Sequence, residues 1–211
     1  MTTAKPPRGS AEPLPAAHAR GKIIVLSGPS GAGKDAVLAP LFAAGTCPPR
    51  LRRCITATTR APRAGEIDGV DYFFLAAEEF RRRITEGFFL EHACYAGRYY
   101  GTPRWWVAKE RDGGNDVLLK IDVQGALQVR EAAPDAVLVF IAPPSLAELE
   151  RRLCGRDPGA DPADLARRLA IARDELALAP RYDYQVVNDT IERAVEDVRA
   201  IVLAERCRTR R

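Results

Sequence analysis

Histidine and cysteine, on which much metal and nucleophile chemistry depends, are scarce in this chain and poorly placed. The two histidines, His18 and His92, and the five cysteines at positions 47, 54, 94, 154 and 207 form no C-x-x-C pair, so no zinc-type ligand set is in view. An odd, scattered cysteine set reads as isolated thiols in a reducing compartment. No Ser/His/Asp or Cys/His grouping points to nucleophilic catalysis. No apolar run approaches the roughly 18 residues that a membrane-spanning helix needs, and the first residues lack the apolar core of a secretory signal. The expectation is a cytoplasmic protein with no membrane partner.

Charge of one sign is also missing. The 32 Lys plus Arg against 28 Asp plus Glu leave a net charge of +4, too slight an excess to argue for a nucleic-acid partner. Lysine supplies only five of those 32 cations, so the arginines have to be weighed one position at a time. What is present is ordinary for a globular protein: 46% apolar and 28% charged residues in a chain of 211. That length suits one domain, or a core with small inserted subdomains, burying roughly 70% of the unfolded chain's surface.

Residues 1–20 mix Pro, Ala, Gly and Ser with few large apolar side chains and are expected to form a disordered tail. Ile23-Ile24-Val25-Leu26 then reads as a strand buried on both faces, followed by a glycine-rich turn and an apolar-periodic helix. Similar runs recur at 117–121, 136–141 and 184–187, each ahead of a helical pattern. Strands alternating with helices predict an α/β fold, a parallel sheet covered by helices on both faces. Ser145 to Glu148 forms a capping box ahead of Leu146, Leu149 and Leu153. The rhythm breaks twice, over 52–102 and over the Gly/Pro-rich 155–163, so the expected core comprises 21–51, 103–154 and 164–207, with a basic end at 208–211.

Gly28-Pro29-Ser30-Gly31-Ala32-Gly33-Lys34 matches G-x-x-x-x-G-K between a buried strand and a helix, the context this phosphate-binding motif requires. Gly31 and Gly33 let backbone amides turn inward, the helix N-terminus adds its dipole, and Lys34 brings a point charge to the β and γ phosphates. A bound nucleoside triphosphate is expected. The motif's next residue, a Ser or Thr whose hydroxyl ligates Mg²⁺, is here Asp35. Its carboxylate is either a hard oxygen ligand for Mg²⁺ or a helix N-terminal acid stabilised by the dipole.

Further along, Arg60 and Arg63 flank Pro62, so that two guanidinium forks can converge on one phosphate. Glu91 and the run Tyr99-Tyr100-Gly101-Thr102 add a carboxylate, phenols and a hydroxyl. Singly, each reads as a surface arginine or a half-buried tyrosine, and Glu91 as a partner of His92. Together they describe a pocket for a second, anionic, ring-bearing molecule.

At this point the chain resembles the guanylate kinase family, over about residues 21–205. The likeness rests on the phosphate loop, the run T-T-R-x-P-R-x-G-E-x-x-G-x-D-Y, and F-L-E, Y-Y-G-T, I-D-V-Q-G, I-A-P-P-S, R-L-x-x-R and V-V-N-D. The resemblance implies a P-loop NTPase-type sheet with an inserted GMP-binding subdomain at 52–102 and a lid at 155–163. It implies phosphorylation of GMP, and of dGMP with it, by ATP with Mg²⁺.

By the same resemblance, Arg60, Arg63, Tyr72 and Tyr100 hold the GMP phosphate, and Thr56, Glu91, Thr102 and Asp122 read guanine, whose adjacent N1–H and N2–H donors suit a carboxylate. Glu66 orients the arginines or a water. Arg152, Arg156 and Arg168 match lid arginines, Asn188 lies near the ATP adenine, and Gly28 to Asp35 hold the triphosphate. The acceptor is an ionised phosphate oxygen, so no general base is needed; Lys34, Arg60, the lid arginines and Mg²⁺ neutralise charge instead. The family usually has an acid where this chain has Lys120, which the strand alternation places with Asp122 or Asp35 as partner. Two other readings stay open: a ribose 1,5-bisphosphate kinase sharing the G-K-D ending, and a non-catalytic guanylate-kinase-like interaction module. Monomer and homodimer are equally compatible with the sequence.

Overall fold

The computed structural model describes residues 20–43, 45–95, 97–156 and 161–208. The expected tail up to residue 19, positions 157–160 of the expected lid and the last three residues lie outside the described part. The chain opens with β1 (Ile23–Ser27), buried along its whole length, and α1 (Lys34–Leu41). β2 (Leu51–Arg53), β3 (Thr56–Thr58), β4 (Tyr72–Phe74), α2 (Ala77–Thr85), β5 (Phe89–Tyr95) and β6 (Arg98–Pro103) follow. The second half contains α3 (Arg104–Asp112), β7 (Asp116–Lys120), α4 (Val123–Ala132), β8 (Val137–Ala142), α5 (Leu146–Arg156), α6 (Pro162–Leu176), β9 (Tyr184–Val187) and α7 (Ile191–Cys207).

Five strands form one all-parallel sheet in the order β2-β7-β1-β8-β9. The aliphatic run of β1 follows from this position. Ile24 and Leu26 point into a core with Val37, Leu41, Val198 and Val202 of α1 and α7. Ile23 and Val25 point into a second core, on the other face, with Trp106, Val107 and Val129 of α3 and α4. With both faces covered, no position along the strand tolerates a polar side chain without a partner. In such a sheet the carboxyl ends of the strands form the ligand crevice, and here they present the phosphate loop, Lys120 and Asp122.

β4-β3-β6-β5 form a separate sheet in which β3 runs parallel to β4 and antiparallel to β6. α2 seals it by setting Phe80 between Phe89, with ring centroids 4.3 Å apart, and Tyr99 at 5.4 Å. The insertion is thus a folded unit with its own small core. β2 was not foreseen: two of its three residues, Arg52 and Arg53, are exposed on the sheet edge, so it carries no apolar run. The insertion boundary expected at residue 52 falls inside this strand.

The capping expectation at α5 holds only in part. The Glu148 amide donates to Ser145 Oγ at 3.1 Å, but the Glu148 carboxylate turns to Arg151 and Arg152. Leu146 is 45% exposed while Leu149 and Leu153 are buried, because the apolar stripe of the helix starts one turn later. Among the described residues no helix is long and apolar enough to cross a membrane.

Candidate active site

The phosphate loop joins β1 to α1. Gly33 has φ 89°, and a Cβ there would lie 2.2 Å from Asn188 Nδ2, so only glycine fits. Asn188, just past β9 and 3% exposed, donates from Nδ2 to the Ala32 carbonyl at 2.8 Å. Arg152 of α5 donates to the Asn188 carbonyl at 3.0 Å and is held by Glu148 at 2.7 Å. The two residues therefore brace the loop from the side of β9 and α5. Arg168 lies half-buried on α6. Arg156 ends α5, and its side chain is outside the described part.

Lys34 donates to the carbonyls of Gly28 at 2.6 Å and Pro29 at 2.9 Å. Burial lowers its pKa to about 8, with nearby Lys120 acting in the same direction and Glu175, Asp35 and Asp122 against it. Asp35 sits in the first turn of α1, as the dipole reading requires. Its Oδ1, however, accepts from Lys120 Nζ at 2.5 Å, so an ammonium already occupies an oxygen that the metal reading would use.

The second cluster builds on the inserted sheet. Arg60 follows β3 and donates to Glu66 Oε1 at 2.7 Å, while Glu66 Oε2 accepts the Arg63 backbone N–H at 2.7 Å. One carboxylate thus orients both arginine positions. The Arg60 guanidinium lies 5.3 Å from the Tyr72 ring centroid, and Tyr72 meets Tyr100 edge-on at 6.5 Å. Arg63 itself is exposed. Thr56 pairs in register with Tyr72.

Glu91 of β5 is 5% exposed and accepts from Thr102 Oγ at 2.6 Å. Gly125 explains how α4 approaches it: a Cβ there would come within 2.9 Å of Glu91 Oε2 and 3.2 Å of Asp122 Oδ1. Asp122 caps α4 by accepting the Gly125 amide at 2.7 Å. Two carboxylates therefore converge at one helix N-terminus. Burial raises the Glu91 pKa to about 7 against the Thr102 hydrogen bond, and the Asp122 charge adds to the rise. His92 is not the partner of Glu91; its backbone amide and carbonyl pair with the Gln128 side chain.

Three residues near the loop were not anticipated. Glu175 on α6 faces Lys34 and the Ser30 amide, Tyr182 donates to Ser27 Oγ at 3.2 Å, and Glu148 holds Arg152. Glu175 and Tyr182 lie in no motif and Glu148 only in the capping box of α5, and each bears on the loop only through the packing of the segments that follow β8.

Comparison with known proteins agrees with this layout. The guanylate kinase family model matches residues 20–205. The chain belongs to the guanylate kinase family. Among curated guanylate kinases it is 47% identical over 192 residues to that of Caldanaerobacter subterraneus subsp. tengcongensis, covering 91% of each chain. It is 48% identical over 193 residues to that of Bacillus cereus, covering 91% of this chain and 92% of the relative. The crystal structure of guanylate kinase from Anaplasma phagocytophilum superposes with a TM-score of 0.69 at 35% identity, covering 90% of this chain and 89% of that one. Guanylate kinase membership confirms the P-loop NTPase-type parallel sheet and does not favour the ribose bisphosphate kinase or the interaction module.

Proposed function

We propose that the protein transfers the γ-phosphoryl group of ATP to GMP, releasing ADP and GDP. The observation that carries the reading is the pair of adjoining clusters: a braced phosphate loop with Lys34, and a buried Glu91 beside Asp122, with Tyr72 and Tyr100 on the same inserted sheet as Glu91 and Arg60 just past its β3. The first holds a triphosphate through loop amides and the Lys34 ammonium. The second recognises a guanine edge by a carboxylate and a phosphate by guanidinium and phenol groups.

An ionised oxygen of the GMP phosphate attacks the γ-phosphorus, and the bond to the β-bridging oxygen breaks with its electron pair leaving on ADP. No proton has to be removed, so the protein's work is alignment and charge neutralisation. Lys34 acts at the β and γ phosphates, and Arg152, Arg156 and Arg168 close over the transferring group. Exclusion of water by the α5–α6 segment keeps ATP from hydrolysis.

Mg²⁺ is the expected ion of this chemistry, and it neutralises the phosphate oxygens when bound. Among the described residues no group of three or more His, Cys, Asp or Glu is poised for a metal, and Asp35 already engages Lys120. The residues fit an ion held mainly by the nucleotide and water. Five unpaired thiols suit a reducing cytoplasm.

The test is a coupled ADP-release assay offering GMP, dGMP, AMP, UMP and ribose 1,5-bisphosphate in turn. Turnover is expected with GMP and dGMP. AMP used as well as GMP, or ribose 1,5-bisphosphate used in preference, refutes the reading.

A further inference from the structure

The residue after Lys34 ordinarily offers a hydroxyl to the metal, but here it offers a carboxylate with an ammonium on it. Lys120 closes β7, the strand beside β1 in the sheet, and its Nζ lies 2.5 Å from Asp35 Oδ1. The pair faces solvent, with the Asp35 side chain 81% and the Lys120 side chain 29% exposed. Exposed pairs of this kind add little to stability, so holding the fold together does not account for the contact. An ammonium has three donors and no acceptor, so Lys120 can keep Asp35 and take a phosphate oxygen at the same time. Its charge also reaches Lys34, contributing to the depressed pKa there, which places two ammonium groups at one mouth of the loop. Arg152 braces the other side, through Ala32 and Asn188.

We propose that Lys120, held in place by Asp35, is a further phosphate-binding residue of the donor site, taking an oxygen of the ATP β/γ-phosphates. It supplies from the protein part of the neutralisation that a hydroxyl-bearing loop leaves to Mg²⁺. The inference rests on the reading of the loop as an ATP site. Its consequence is an affinity for metal-free ATP that depends on Lys120, because the ammonium and the metal neutralise the same oxygens.

The test is calorimetric binding of a non-hydrolysable ATP analogue to wild type, Lys120→Gln and Lys120→Arg, in excess chelator and again in excess Mg²⁺. Thermal melting shows that each variant is folded. In chelator, Lys120→Gln is expected to bind about tenfold more weakly or worse, since a charge-assisted hydrogen bond is lost. In Mg²⁺ the gap is expected to close to within about threefold. Lys120→Arg should stay near wild type in both. A gap of equal size in both conditions means a general field effect and overturns the proposal, as does no gap in chelator. Wild-type turnover of GMP, measured alongside, separates the two readings: turnover with no metal-dependent gap overturns the role of Lys120 alone, while wild type that neither binds the analogue nor turns over GMP overturns both.

Discussion

Replacing Glu91 with Gln is expected to make the protein more stable and less active, with the stability gain growing as pH rises. The carboxyl is 5% exposed, and burial moves its pKa from the ordinary 4.5 to about 7. The folded state therefore binds a proton more tightly than the unfolded chain, and the wild type loses stability as pH rises from about 4.5 through about 7. At about 1.4 kcal/mol for each tenfold change in proton affinity, the loss between pH 5 and pH 8 is about 2–3 kcal/mol. Glutamine keeps the shape and an oxygen for Thr102 but does not ionise, so this slope disappears. Urea melts of both proteins at pH 5 and pH 8 measure it, as a gap that widens with pH in favour of Glu91→Gln. In steady-state assays the same variant presents an N–H donor where guanine also presents donors, and kcat/KM for GMP is expected to fall by roughly two orders of magnitude. A gap of equal size at both pH values refutes the burial argument, and GMP kinetics within about threefold of wild type refute the recognition role.

Lys34 sets the alkaline limit of activity. With its pKa lowered to about 8, the charged form is lost as pH rises through that value, so kcat/KM for ATP should decline above about pH 8. The limb of kcat should lie higher, because the bound triphosphate favours the ammonium, and a kcat/KM profile flat to pH 9.5 contradicts this. Gly33→Ala is expected to abolish measurable binding of an ATP analogue, since the new Cβ would meet Asn188 Nδ2 at 2.2 Å in a left-handed backbone; calorimetry showing wild-type affinity would remove the steric argument.

The phosphate loop, the strand–helix alternation and the Arg60–Glu66 cluster were legible in the sequence because each is written locally. A glycine at a positive φ followed by lysine, or two arginines and a glutamate within seven residues, keeps its meaning wherever the segment packs. Glu66 shows this well: its bonds to Arg60 and the Arg63 amide span six and three residues. β2 was invisible for the complementary reason, since a three-residue edge strand with exposed arginines has no pattern of its own and is defined by pairing with β7. Glu175 and Tyr182 carried no signal either, because they meet Ser30 and Ser27 from segments more than a hundred residues away, and the capping-box pattern at Glu148 gave no sign that its carboxylate holds Arg152.

By itself the sequence determined the class of fold and the phosphate-loop motif, both properties of short-range spacing and side-chain chemistry, while the proposed members of the acceptor site came from the resemblance to guanylate kinases. Only the tertiary structure decided that Glu91 and Asp122 meet over Gly125, that Asn188 braces Ala32 from 156 residues away, and that Lys120 answers Asp35 across 85. Apolar periodicity reports which face of a strand is buried but not which strands adjoin. These contacts depend on the order β2-β7-β1-β8-β9, which sets β7 and β8 on either side of β1 and gathers their carboxyl ends at the loop.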